Sequence, residues 1–143
     1  MDLTGNRTVN ADRQAVWEAL NDPKVLTACI PGCTEFIGNT ADGFEAIVSQ
    51  KVGPVKATFS GKVNLTSIIE ATSYRIVAEG KGGVAGYAKG GANVVLADVE
   101  GGTELTYEVD AKIGGKLAQL GSRVVKGVTR KLADKFFENF ENT

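Results

Sequence analysis

The sequence predicts an α+β protein in which a curved antiparallel sheet of about seven strands wraps around a long C-terminal helix. Three patterns predict it. From Thr34 to about Gly114 apolar and polar residues alternate, and turn residues cut the alternation at short intervals. Residues 116–141 then switch to helical period. Between an opening strand and the alternating run lie two short helical stretches.

Taken in order, residues 2–9 set Leu3, Gly5, Arg7 and Val9 against Asp2, Thr4, Asn6 and Thr8, the alternation of a first strand. Asn10 is the expected N-cap of a helix that carries Val16, Trp17 and Leu20, with Asp12 favoured in its first turn. Asn21-Asp22-Pro23 ends it, and a second short helix over about 22–28 precedes the Pro31-Gly32 turn. The alternating run breaks at 41–43, 53–54, 70–73, 83–86 and 101–102, which leaves six strands joined by short connections. Such connections force antiparallel neighbours. In the last segment Leu117, Leu120, Gly121, Val124, Val128, Leu132, Phe136 and Phe140 form one stripe. Lys116, Arg123, Lys126 and Arg130 fall opposite it, with only Asp134 as nearby acid. A greasy sheet face must be covered, and only this helix is long enough to cover it.

Composition narrows the function classes. The 143 residues suit a single domain spanning 1–143, with a core that needs no staples. A net charge of −1 gives the molecule no global attraction for nucleic acid, and no nucleic-acid partner is expected. No apolar run approaches the roughly 18 residues of a membrane-spanning helix, and the first residues lack the apolar core of a secretory signal. The expectation is a cytoplasmic protein. With no histidine in the chain, Cys29 and Cys33 cannot complete a zinc site, so they are expected as free structural thiols and no metal is expected.

The inward parity of the sheet suggests a hollow. Ala57, Ala78, Gly80, Gly82, Ala88, Gly90, Ala92 and Ala111 gather at one end, whereas Phe59, Leu65, Tyr74, Ile76, Leu96, Leu105 and Tyr107 fill the other end or the middle. Small residues facing a helix leave volume unfilled, and interior glycine costs a strand about 0.5–1 kcal/mol. Either the sheet bends sharply there or it accommodates something. The second reading places an apolar cavity near the 83–86 hairpin and the start of the last helix.

Catalytic motifs do not survive inspection. Gly80, Gly82 and Ala85 match a dinucleotide-loop spacing, but a strand follows where a helix would be needed. The absence of histidine removes the usual base of a nucleophilic triad. Glu108 and Asp110, with Glu100 and Glu104 nearby, lie on the outward, solvated parity, as do Ser49, Thr58 and Ser60.

Three blocks carry a family resemblance: IPGCTEF at 30–36, KVGPVKATFSGKV at 51–63 and GGKLAQLGSRVVKGVTRKLADKFFENF at 114–140. In this order they resemble the CoxG family, named for the CoxG subunit of carbon monoxide dehydrogenase, within the START-like, helix-grip (SRPBCC) superfamily. The resemblance implies a sheet gripping a C-terminal helix around a hydrophobic cavity. It also implies a non-catalytic accessory of a molybdenum-containing CO dehydrogenase-type enzyme, which attaches that enzyme to the cytoplasmic membrane and couples it to the respiratory chain. A lipophilic quinone, menaquinone or another, is the expected cargo and no covalent cofactor is expected. Relatives often continue past the helix into a tail that can end in a membrane-binding segment, whereas this sequence ends at Thr143.

The predicted lining is Ala57, Phe59, Ala78, Gly80, Ala92, Tyr107, Val109, Leu117, Val124 and Val128, with the Tyr107 hydroxyl offered to a quinone carbonyl. Lys116, Arg123, Lys126, Arg130 and Phe137 are the expected contacts for a partner or an anionic membrane surface. The rival readings are a docking or assembly factor with a filled interior, and a START-like cyclase or hydrolase, which would need a buried, unpaired carboxylate in the cavity.

Overall fold

The computed structural model describes residues 1–142; the expected domain end at Thr143 lies outside the described residues. The chain opens with β1 (Asp2–Val9), whose inward residues Leu3 and Val9 are buried. Helix α1 (Arg13–Leu20) follows and buries Val16, Trp17 and Leu20. Its N-cap is Asp12, not Asn10: the Asp12 carboxylate accepts from the Ala15 amide at 2.8 Å, satisfying one of the orphan donors of the first turn. Helix α2 (Pro23–Cys29) starts on a proline, which has no amide to orphan, and Asp22 caps it by accepting from Lys24.

Six strands then run in sequence: β2 (Cys33–Asn39), β3 (Gly43–Val52), β4 (Val55–Ile69), β5 (Ser73–Lys81), β6 (Tyr87–Val99) and β7 (Gly102–Gly114). Each pairs antiparallel with the next, as short connections demand. β1 closes on β7, so the sheet order is β1-β7-β6-β5-β4-β3-β2. Consecutive β1 and β2 therefore lie at opposite edges, and α1 and α2 carry the chain from one edge to the other. That crossing places both helices over the same face of the sheet that the last helix covers.

The last helical segment is broken where the sequence suggests one continuous helix. A short α3 (Lys116–Gln119) precedes α4 (Ser122–Glu141), and Gly121 between them has φ +88°. A glycine holds that conformation at little cost, and the helix restarts beyond it in a new phase. The break turns Val125 inward, buried, and leaves Val124 42% exposed, so Val124 does not lie on the inner stripe.

Two buried clusters hold the layers. One joins Leu3, Trp17, Tyr74, Val94, Leu96, Leu105, Tyr107, Phe137 and Phe140; a smaller one joins Phe36, Phe44 and Ala46.

Candidate functional site

The hollow arises because α4 rests on the rims of the concave sheet more than on its floor. It meets β1 on one side and β3 on the other, and it packs against α2. On the β1 side the Phe137 ring stacks on Tyr107 with centroids 5.8 Å apart. On the α2 side Asn139 Nδ2 donates to the Cys29 carbonyl at 3.0 Å. Between these supports lies a cavity of about 440 Å³. Leu65, Tyr74, Ile76, Ala92, Val94, Leu105 and Val109 form its floor; Leu132, Ala133, Phe136 and Phe137 form its roof; Leu26 and Ile30 at α2, Phe36 on β2 and Phe44 on β3 close it. The polar side chains in the wall are Gln50, Thr129 and the phenols Tyr74 and Tyr107. Gln50 Nε2 donates to the Pro31 carbonyl, and Thr129 Oγ1 donates to the Val125 carbonyl at 2.8 Å. Burial pushes the Tyr74 phenol pKa well above its ordinary value, so it stays protonated.

A second chamber of about 250 Å³ adjoins the first and shares Val48, Gln50, Thr129 and Leu132 with it. Its other walls are Val52, Phe59, Gly80, Ala88, Ile113, Leu117, Val125 and Val128. Gly80 faces open space there: a Cβ at that position would meet nothing within 4 Å. Gly82 is different, because the Phe59 ring already occupies the place a Cβ would take. Past this chamber stand Val84, 85% exposed, and the α3–α4 junction. Among the described residues no Asp, Glu, Lys or Arg lines either chamber.

A family model for CoxG, described as a subunit of carbon monoxide dehydrogenase, matches residues 5–143. The chain belongs to this family. Solved structures agree on the fold. A conserved protein from Geobacillus kaustophilus superposes with TM-score 0.92 at 27% identity, covering 99% of this chain and 93% of that one. Protein CV1439 from Chromobacterium violaceum gives TM-score 0.72 at 12% identity over 99% and 95%. The AHSA1-like protein from Aeromonas hydrophila gives 0.66 at 19% identity over 99% and 90%. Among curated proteins none matches the chain. The architecture is thus the helix-grip fold of the START-like superfamily.

Within this CoxG-family chain the predicted lining residues separate. Ala92, Tyr107 and Val109 lie in the wall of the larger chamber, and Phe59, Gly80, Leu117 and Val128 in that of the smaller. Ala57, Ala78 and Val124 line neither; Ala57 and Ala78 are half-buried and Val124 faces outward. Phe59 also belongs to the small-residue end instead of the opposite one, since Ser60 pairs with Lys81 and brings Phe59 level with Gly82. The larger chamber sits among the large residues, opposite to the expectation from side-chain size. Void volume here depends on how far the helix stands off the sheet, and large side chains at the rims hold it away.

Phe137 is a further correction. The sequence places it toward the polar side, but it is buried at 7% exposure. An every-fourth-residue stripe advances about 40° per step around a helix of 3.6 residues per turn, so by the last turns it has rotated toward Phe137. Lys116, Arg123, Lys126 and Arg130 are all exposed, and among the described residues none of the four forms an ion pair. Asp134 is engaged elsewhere, 3.7 Å from Arg7.

Chamber residues outside the predicted lining include Gln50, Leu132 and Phe136. Leu132 and Phe136 stand on the predicted apolar stripe, which signals a buried face but not which of its residues border a void. Cys29 is fully buried, Cys33 is half-buried, and both are free thiols. Among the described residues no helix is long and apolar enough to cross a membrane. A groove of about 380 Å³ on the outer face is lined by Glu35, Glu45, Lys62, Glu79 and Lys81, a charged and solvated surface.

Proposed function

We propose that the chain is a non-catalytic carrier that holds a lipophilic small molecule, a respiratory quinone such as menaquinone, between the sheet and α4. In this role it serves a molybdenum CO dehydrogenase-type enzyme by linking it to the cytoplasmic membrane and the respiratory chain. The observation that carries the reading is the apolar chamber of about 440 Å³, continued by a second of about 250 Å³. Small-molecule sites span roughly 300–1,000 Å³ and are mostly apolar with a few polar groups, which matches this interior. Apolar burial at about 25 cal/mol per Å² would supply most of the affinity. The family name supports the link to a CO dehydrogenase. Among the described residues the chamber walls supply no carboxylate or amine for acid–base work, which favours binding over turnover.

Extraction of freshly purified protein with organic solvent, followed by mass spectrometry, tests the reading, together with titration by a quinone. A co-extracted quinone or saturable uptake at micromolar concentration is the expected result. No lipid in the extract and no uptake in titration would leave only a docking role for this surface.

A further inference from the structure

Tyr74, the second residue of β5, stands at the α1 end of the larger chamber, its ring perpendicular to that of Trp17 at a centroid distance of 5.2 Å. The residue is only 5% exposed, yet among the described residues its hydroxyl has no hydrogen-bond partner. Buried phenols ordinarily find one. Its cross-strand neighbour is Val94, which offers no side-chain acceptor. Among the described residues the side-chain atoms sealed off without a hydrogen-bond partner are Asn21 Oδ1 and Arg13 Nε, the latter 3.3 Å from an Asp98 carboxylate oxygen, and the Tyr74 hydroxyl is not among them. It therefore keeps an accessible side, and the space its side chain borders is the chamber.

The other polar groups of the wall are placed differently. Gln50 spends an amide proton on Pro31, and Thr129 bonds its own helix. The Tyr107 hydroxyl lies over Gly5 on β1, where a Cβ would collide with it, and its ring is stacked under Phe137. Its oxygen is thus directed toward the sheet edge.

We propose that the Tyr74 hydroxyl donates the hydrogen bond that fixes the oxygen-bearing end of the ligand at the α1 end of the chamber, with its hydrocarbon remainder running toward Gln50 and the smaller chamber. This rests on the lipophilic-carrier reading and sharpens it. The ligand class becomes a lipid with an acceptor oxygen on its head, such as a carbonyl-bearing aromatic ring, and not a plain hydrocarbon. Tyr74 is a positioning residue for that head.

The test compares menadione with 2-methylnaphthalene, which has the same rings and methyl group but no carbonyls. Binding to the wild type, Tyr74→Phe and Tyr107→Phe proteins is measured by calorimetry and by quenching of Trp17, the single tryptophan. Tyr74→Phe is expected to weaken menadione about three- to tenfold and leave 2-methylnaphthalene unchanged, the size of one hydrogen bond. Tyr107→Phe, the change at the other phenol of the wall, is expected to weaken menadione less than Tyr74→Phe does. The infrared carbonyl stretch of bound menadione is expected at lowered frequency in the wild type and restored in Tyr74→Phe. Equal menadione affinity and an equal carbonyl band in Tyr74→Phe overturn the assignment while leaving the carrier reading intact, and so does a loss confined to Tyr107→Phe. Uptake of neither probe by the wild type removes the carrier reading and this inference with it. Should Tyr74→Phe fail to fold, the wild-type spectrum decides alone, because an unshifted carbonyl band overturns the proposal.

Discussion

Phe137 of α4 stacks on Tyr107 of β7 with centroids 5.8 Å apart and planes 21° from parallel. The Arg7 guanidinium stands 5.9 Å from the centre of the Phe137 ring. This contact is a support that holds α4 against the β1 edge and lets it span the chamber. Removing it should cost stability that a surface aromatic would not. Phe137→Ala is expected to lower unfolding free energy by about 3–5 kcal/mol, as for other buried aromatics. Urea denaturation checks this, and a loss under about 0.5 kcal/mol would return Phe137 to the surface.

The smaller chamber, if it holds the ligand's tail, is separable from the larger by mutation. Gly80 has an ordinary strand conformation and open space before it, so Gly80→Leu has room for its side chain. Its stability is expected to rise by about 0.5–1 kcal/mol through lost backbone freedom in the unfolded chain. Binding of a quinone with an isoprenoid tail should fall about tenfold, the usual scale of an overpacking penalty, while menadione is held as before. Ala92→Phe, in the larger chamber, should weaken both ligands, and Ala78→Val, which lines neither, should weaken neither. Paired titrations with the two quinones read the difference. Equal losses for both ligands in Gly80→Leu would mean that the two chambers do not divide head from tail.

The strand boundaries and the inward parity are legible in the sequence because turn residues and period-two alternation are local signals. Thr34 to Gly114 needs no knowledge of distant contacts. What the sequence does not show is the separation of the two layers. That distance depends on Phe137 meeting Tyr107 and on Asn139 reaching Cys29, both contacts between residues far apart in the chain. Glycine likewise has two meanings that composition cannot divide. Gly80 faces a void, whereas Gly82 makes room for the Phe59 ring. The phase of α4 is hidden for a third reason. Gly121 fits an apolar stripe as a small member, but its positive φ interrupts the helix and turns Val125 inward in place of Val124.

The exposed cations Arg123, Lys126 and Arg130 recur along one side of α4, close to the exposed Val124. A carrier that exchanges a lipid with a bilayer needs such a surface. Each cation near an anionic membrane contributes about 1 kcal/mol. The double change Arg123→Glu with Lys126→Glu is expected to reduce partition onto vesicles containing phosphatidylglycerol by at least tenfold, without changing uptake of menadione. Wild-type binding should also weaken between low and high salt. Co-sedimentation at two salt concentrations measures both effects, and partition that is indifferent to salt and to charge reversal would rule out this helix face as the contact.

Desolvation of Tyr74 has a consequence at high pH. Its folded pKa lies above the ordinary value of 10.0 because burial penalises the phenolate. Below pH 10 both folded and unfolded chains keep the proton, and the contribution to stability is complete. As pH rises past 10 the unfolded chain releases its proton while the folded one retains it, so unfolding is favoured by about 1.4 kcal/mol for each further pH unit. Tyr74→Phe has no proton to release. The stability of the wild type relative to Tyr74→Phe is therefore expected to be constant from pH 8 to about pH 10 and to fall steadily above it, up to the folded pKa. Urea denaturation of the two proteins in parallel checks this, since they differ at position 74 alone. Curves that stay parallel through pH 11 would mean that the phenol ionises as freely in the fold as in water, and a hydroxyl so well hydrated would have no need of a ligand oxygen.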